Sequence, residues 1–325
     1  MSAVAAATMR AVRLAAPRTA ETLEVPVLEP GLGEVRILLE GCGVCASNLV
    51  PWEGAEWMRY PTAPGGLGHE GWGVVDALGA GVEGLVAGQR VATLGDGAYA
   101  EQQVVSAAQV VPLPAALDGR PFPGEPLGCA MNIFRRGRIA SGHTVAIVGI
   151  GFLGALLTRL ASDAGARVIA ISRRPFSLEV AESMGAHECV AMDDHGRIIE
   201  QVRALTRGQF CDRVIEAVGK QWPLDLSAEL TRERGRLVVA GYHQDGPRQV
   251  NMQLWNWRGL DVINAHERDP AVYLDGIRAA VDAVASGRLD PDPLYTHRYP
   301  LDALDQALDA ARDRPDGFLK ALVMP

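Results

Sequence analysis

No uninterrupted apolar run in the sequence reaches the roughly 20 residues that a bilayer-spanning helix needs, so no membrane helix is expected. Basic residues are in the minority, 31 Lys and Arg against 39 Asp and Glu, for a formal net charge of −8. That balance lacks the basic footprint of non-specific nucleic-acid binding. The overall field does not favour acidic substrates either, although a local basic pocket would override it. The opening stretch MSAVAAATMR has neither a basic start nor a Leu-rich core and reads as a loose tail, with a cytoplasmic location as the default. Cysteines are few and odd in number: Cys42, Cys45, Cys129, Cys189 and Cys211. Without a secretory signal they imply reduced thiols rather than a disulfide framework. Internal repeats, low-complexity linkers and coiled-coil heptads are also missing.

What is present is a chain of 325 residues, too long for one ordinary core and suggestive of two domains. Its 48% hydrophobic and 22% charged residues are the balance of a globular protein. The first third reads as β-rich, with the short runs MRAVRL, EVRILLE, GWGVVDAL, QRVATL and AYAEQQVV separated by Gly and Pro. After Pro121 strands alternate with helices: TVAIVG, FLGALLTRLASDAG, ARVIAIS, PFSLEVAESMGA, RIIEQVRALTRG, DRVIEAVG, PLDLSAELTRER and GRLVVAGY. This rhythm predicts an α/β fold with a parallel, doubly wound sheet. The tail is mixed, with a helix over Ala271 to Ser286, a strand near YTHRYP, a helix in DALDQALDAAR and a last strand in FLKALV. It is expected to pack back on the first domain.

Gly149-Ile150-Gly151-Phe152-Leu153-Gly154 ends one expected strand and opens one expected helix. The three glycines suit a tight turn, a close approach of backbone to pyrophosphate, and close helix-to-strand packing. The N–H groups at the helix start then hold the pyrophosphate. The second strand bears on the choice between NAD and NADP. A carboxylate at its end would accept hydrogen bonds from the adenosine ribose, but the sequence has Ser172-Arg173-Arg174. A hydroxyl and guanidinium groups favour the 2′-phosphate of NADP(H) over NAD(H), with a solvated surface arginine as the alternative. Val218, Gly219, Ala240 and Gly241 fall at strand ends and are backbone candidates for the nicotinamide neighbourhood, or simple strand-to-loop turns.

Cys45 and His69, followed by Glu70, are ligands of the kind zinc prefers, and a catalytic zinc keeps three protein ligands and an open position. The strings around them carry a resemblance. GCGVCASNL resembles the cysteine motif of the zinc-containing medium-chain dehydrogenases, and GHEGWGVVDALG resembles their G-H-E-x-x-G-x-V-x-x-x-G signature. GEPLGCAMNIFRRG is similar to the third-ligand segment of their polyol (sorbitol-type) branch, and THRYPLDALDQALDA to their C-terminal strand and helix. The resemblance runs from about Met9 to the end of the sequence. It implies a GroES-like catalytic domain over residues 1–122 and 268–325 and a Rossmann domain over 123–267.

Carried over by residue, the resemblance makes Cys45 and His69 zinc ligands, Glu70 a ligand or switchable near-ligand, and Glu125 a residue facing the metal directly or through water. Cys129 is a rival for the last role, Ser47 matches the hydroxyl that hydrogen-bonds the reacting oxygen, and Cys42 is structural. Two departures stand out. Asn48 replaces the Asp that orients the ligating imidazole, and Val50 replaces the polyol branch's proton-relaying His. The structural-zinc lobe is missing, since RVATLGDG runs straight into AYAEQQVV, so at most one zinc per chain is expected.

The resemblance implies hydride transfer between NADP(H) and a secondary alcohol or ketone, with a polyol, sugar or cyclitol as substrate. Reduction of an iminium or conjugated double bond by NADPH is the rival chemistry, and a non-catalytic cofactor-binding protein the rival class. Trp52, Trp57, Trp255 and Trp257 are candidate pocket walls, and His266-Glu267-Arg268 a candidate for recognising hydroxyls or an anion. The apolar segment QVNMQLWNWRGLDVINA is compatible with a homodimer or homotetramer.

Overall fold

A computed structural model describes residues 7–325. The loose-tail reading of the opening stretch therefore lies, for residues 1–6, outside the described residues. It does not hold beyond them, because the strand Thr8–Ala16 has already begun. The chain divides into two units, one formed by residues up to Gly128 together with Pro270–Pro325, the other by Cys129–Asp269. No helix among the described residues is long and apolar enough to cross a membrane.

The first unit is β-rich, as patterned. Its central strand, Glu34–Gly43, alternates strictly at its start, with Val35, Ile37 and Leu39 facing the core. Arg36, on the other face, pairs with Asp76 at 2.6 Å and Glu29 at 2.9 Å. This strand lies antiparallel to Gly71–Leu78, Gln102–Ser106 and Ala321–Met324 within a seven-stranded sheet. Cys42 pairs with Gly71 on one side and with Val323 on the other. That register brings the sequences flanking residues 43, 70 and 320 to one end of the sheet. A separate hairpin joins Thr8–Ala16 to Thr19–Pro26. The second strand of this hairpin is mostly exposed and carries almost no apolar alternation, which is why its sequence gives no strand signal.

The second unit is a six-stranded parallel sheet with helices between the strands. In chain order it comprises β1 (Thr144–Val148), α1 (Phe152–Asp163), β2 (Arg167–Ser172), α2 (Pro175–Ser183), β3 (Glu188–Ala191) and α3 (His195–Leu205). It continues with β4 (Cys211–Glu216), α4 (Gln221–Leu230), β5 (Thr231–Val239), α5 (Met252–Arg258) and β6 (Asp261–Asn264). The sheet order is β3-β2-β1-β4-β5-β6, so the order reverses between β1 and β4, the switch point of a doubly wound sheet. Val145, Ala146, Ile147 and Val148 of β1 are fully buried, the unbroken apolar run of a strand covered on both faces.

One boundary differs from the pattern. TRER, read as the end of a helix, begins β5 instead: Thr231 pairs with Cys211, and its hydroxyl bonds the Ser227 carbonyl at 2.7 Å. The apolar face of α4 ends at Leu230, and nothing after it supports another helical turn.

Candidate metal centre and dinucleotide loops

Cys45 follows the central strand and opens a short turn, Ala46–Asn48, while His69 and Glu70 immediately precede Gly71–Leu78. Their ligand atoms lie within 4.8 Å of one another, the one such group found among the described residues. His69 Nδ1 is 2.9 Å from the Leu67 carbonyl, so that nitrogen carries the proton and Nε2 is left for a metal. Asn48 Nδ2 donates to the same carbonyl at 3.0 Å. Asn48 Oδ1 in turn accepts from the Tyr99 hydroxyl at 2.8 Å and from the Cys45 N–H at 3.3 Å. Leu67 adopts a φ of 69°, a left-handed conformation that a branched residue rarely takes, and this turn aims its carbonyl. The imidazole is thus oriented by a backbone carbonyl, with Asn48 and Tyr99 behind it.

Glu70 is completely buried, yet it has a buried counter-charge. Lys320 Nζ donates to Glu70 Oε1 at 2.7 Å and lies 2.5 Å from Oε2. The same ammonium donates to the Val44 carbonyl at 3.0 Å, next to Cys45. Gly43 is obligatory here, because a Cβ on it would stand 1.9 Å from Glu70 Oε2. Burial alone would lower the Lys320 pKa, but the charges of Glu70 and Cys45, a hydrogen bond to Glu70 and the charge of Glu125 raise it.

Burial would also depress the His69 pKa, yet its hydrogen bond to Cys45 and the charges of Cys45, Glu125 and Glu70 push it up to about 10. A group of anions that draws a proton onto a buried imidazole is a site built for positive charge. Thiolate, imidazole and carboxylate are zinc donors, and Glu70 Oε2 is a buried carboxylate oxygen with ionic contact but no hydrogen bond. The residues therefore fit a zinc ion. Cys42 does not join them: burial, then the charge of Glu70, pushes its thiol far up, and Sγ donates to the Gly43 carbonyl at 3.4 Å.

Glu125 stands in the first turn of the helix Gly124–Gly137, with Cys129 one turn further along. Its charge acts on both His69 and Lys320, although it does not complete the cluster within 4.8 Å. Ser47 and Val50 are half-buried nearby in sequence, in Ala46–Asn48 and Leu49–Glu53.

In the second unit two of the three glycines of the expected fingerprint have a geometric reason. Gly149 turns with a φ of 100°, and a Cβ there would meet Val218 Cγ2 at 2.4 Å. A Cβ on Gly154 would stand 2.1 Å from the Gly149 carbonyl oxygen. Gly151 is different: a Cβ there would point into open space, and Gly151 stands at the N-cap of α1, ahead of Phe152 and Leu153. Open space at the N-terminus of a helix fits a pyrophosphate. β2 ends at Ser172, which is buried, followed by exposed Arg173 and half-buried Arg174 at the N-cap of α2. The N–H groups of Ala240 and Gly241 both donate to the Glu216 carbonyl at 2.8 Å. A Cβ on Gly241 would lie 2.2 Å from the Gly219 nitrogen, so the two strand-end loops touch.

Sequence reasoning missed several residues that hold these sites: Leu67, Tyr99, Glu216, His243, Arg248 and Lys320. Two of them left a signal, Lys320 as a charge inside the apolar run FLKALV and Glu216 as an acid closing the strand VIE. Of the four tryptophans, Trp52 is a core residue rather than a pocket wall, with its Nε1 donating to Asp309 at 2.9 Å. Trp255 packs against the core of the second unit, while Trp57 and Trp257 are exposed. His266 stacks on Tyr242 at a centroid distance of 5.3 Å.

A β-rich domain with a Cys/His/carboxylate cluster, together with a parallel dinucleotide sheet, defines an oxidoreductase of the alcohol-dehydrogenase type. Residues 31–115 match the alcohol dehydrogenase GroES-like domain and residues 153–281 the zinc-binding dehydrogenase family. The 2-dehydro-3-deoxy-L-galactonate 5-dehydrogenase of Pseudoalteromonas atlantica is 26% identical, with 93% of this chain and 94% of that protein covered. The sorbitol dehydrogenase of Halalkalibacterium halodurans is also 26% identical, with the same two coverages of 93% and 94%. Among solved structures, a protein of Sinorhizobium meliloti 1021 described as a zinc-binding dehydrogenase, bound to NADP, is 27% identical with a TM-score of 0.84. The match covers 98% of this chain and 100% of that one. This chain belongs to the zinc-containing medium-chain dehydrogenase/reductase superfamily.

Proposed function

We propose that the chain is a zinc-dependent oxidoreductase that transfers a hydride between NADP(H) and a secondary alcohol or ketone, with a polyol, sugar or cyclitol as substrate. The observation that carries this reading is the convergence of Cys45, His69 and Glu70 within 4.8 Å, in anionic surroundings that raise the pKa of the imidazole. Bound there, one zinc per chain would supply Lewis acidity, which makes an alcohol easier to deprotonate or a carbonyl easier to reduce. Cys45 Sγ and His69 Nε2 would hold the metal, and the Leu67 carbonyl keeps the imidazole in the binding tautomer. Glu125 supplies the third donor directly or through water, Cys129 being its rival on the same helix face. Glu70, held by Lys320, would be a ligand or a switchable near-ligand. Ser47 offers its hydroxyl to the reacting oxygen. Val50 carries no proton, so water or another group would have to relay it.

The dinucleotide's pyrophosphate would lie on the amides of Phe152 and Leu153 above Gly151, with Ser172, Arg173 and Arg174 at the adenosine ribose. The absence of an acid at the end of β2 supports NADP(H), as does NADP in the relative from S. meliloti. The polyhydroxylated substrates named for the two curated relatives support the substrate class. A cytoplasmic location belongs to the same proposal, as does assembly as a homodimer or homotetramer through the edge strand β6 and the exposed side of α5.

Metal analysis of the purified protein beside a Cys45→Ala variant tests the reading. About one zinc per chain, lost in the variant, with NADP-dependent oxidation of polyols or cyclitols, is the expected result. Wild-type protein prepared without chelators and free of zinc would overturn it. Reduction of C=N or C=C bonds by NADPH would then be the chemistry to assay.

A further inference from the structure

We infer that Glu216, acting through His243 and Arg248, is a positioning residue that sets the backbone of the two loops against which the dinucleotide lies. This rests on the dinucleotide reading above. Glu216 closes β4 and is completely buried, a costly place for a carboxylate unless every lone pair is used. Its Oε1 accepts the N–H groups of Val218 and Gly219, each at 2.8 Å. Its Oε2 is 3.0 Å from His243 Nε2. Arg248 Nε donates to His243 Nδ1 at 2.9 Å, so Nδ1 carries no proton and Nε2–H is the donor to Glu216.

The chain of bonds returns to its start. Arg248 also donates to the Gly219 carbonyl at 3.0 Å and pairs with Asp245, which takes Lys220 Nζ at 2.5 Å. Those two cations hold the Asp245 carboxyl well below the usual carboxylate range. Loop 217–220 is therefore gripped at its amides by Glu216 and at a carbonyl by Arg248, while loop 240–248 is gripped by the same pair. No slack separates them. Gly219 has a φ of 81°, a Cβ on it would stand 2.7 Å from the Tyr242 carbonyl oxygen, and one on Gly241 would stand 2.7 Å from Glu216 Oε2.

The functional consequence follows from the planar trans peptide. With the amides of Val218 and Gly219 turned onto Glu216, the carbonyls of Ala217 and Val218 are turned away from it. The Ala217 carbonyl oxygen faces the glycine loop, 3.3 Å from where a Gly149 Cβ would be. These are oriented acceptors for the hydroxyl and amide donors of a dinucleotide, located where β1 and β4 diverge at the switch point. A carboxylate below the loop thus places acceptors above it, without touching the ligand.

The test uses the full-length protein and NADPH, followed by nucleotide fluorescence, with amide hydrogen exchange in the absence of nucleotide. In His243→Ala and in Arg248→Ala the Kd for NADPH is expected to rise about tenfold, and exchange at Val218 and Gly219 to accelerate. Zinc content should stay unchanged. His243→Gln retains one donor for Glu216 and one acceptor for Arg248, and it should hold Kd within about twofold of wild type. A role in folding alone would lower the Tm of the alanine variants without moving Kd below it, and unchanged Kd in both alanine variants overturns the inference. If the wild type protects Val218 and Gly219 but binds neither NADPH nor NADH, the dinucleotide reading has failed, and this role fails with it.

Discussion

Lys320 and Glu70 are separated by 250 residues in sequence, yet their side chains meet at 2.7 Å in the interior of the first unit. Each would be an isolated buried charge without the other, so the pair works as a unit whose halves cannot be removed singly.

Lys320→Met should leave Glu70 uncompensated and destabilise the metal-free protein by ~3–5 kcal/mol. Zinc-loaded protein should lose less, because the metal supplies the missing positive charge. Adding Glu70→Gln to Lys320→Met should recover much of the loss. Urea unfolding of the three forms measures this, and equal midpoints for the single variant and wild type would contradict it.

Metal binding should be proton-linked. In the metal-free site the His69 pKa is raised to about 10 from its ordinary value of 6.5, so the imidazole is protonated at neutral pH. Its sign is that of a raised cation: it stabilises the metal-free fold fully below about 6.5, and that contribution is lost as pH climbs through about 10. Zinc needs the neutral ring, so binding should release protons and weaken as pH falls. Titration calorimetry in buffers of different ionisation enthalpy reports the proton count, and buffer-independent heats would refute the linkage.

Asn48→Asp should not improve the site, although it restores the residue that the family usually carries. The new carboxylate loses the Nδ2 donor and faces the Leu67 carbonyl it formerly held at 3.0 Å. Zinc affinity should fall, by about 10-fold or more on the scale of other residues that support ligands. Tyr99→Phe, which removes the 2.8 Å bond to Asn48, should act in the same direction at a stability cost of ~1 kcal/mol. Competition with a chromophoric chelator provides the affinities, and tighter zinc in Asn48→Asp would show that a charge, not a carbonyl, is what the imidazole wants.

Cofactor choice should depend on the end of β2. Arg173 is exposed and Arg174 begins α2, so replacing both with Gln removes charge without opening the core. KM for NADP should rise about tenfold and KM for NAD should hardly change. Parallel shifts in both constants would move the 2′-phosphate elsewhere.

Local chemistry in the sequence marked most of the fold and part of the candidate site. The unbroken apolar runs of β1 and β2, and glycines whose spacing matches a strand-turn-helix, carry their own signal, as do Cys45 and His69 at the ends of apolar strands. What escaped was long-range or conformational. Nothing near Glu70 announces Lys320, nothing near His69 announces that Leu67 turns left-handed, and Tyr99 reaches Asn48 across 51 positions. β3 escaped for another reason: only Val190 of its four residues is fully buried, too little pattern to read.

The pairing of Ala321–Met324 with the strand that ends at Gly43 has a consequence in time. A ribosome adds about 5–20 residues per second, so Glu70 waits on the order of tens of seconds before Lys320 exists. Over the same interval the inserted unit, Cys129–Asp269, is completed and free to fold. The first unit is begun before the second and finished after it, because two strands of its sheet, His297–Pro300 and Ala321–Met324, come only after the inserted unit.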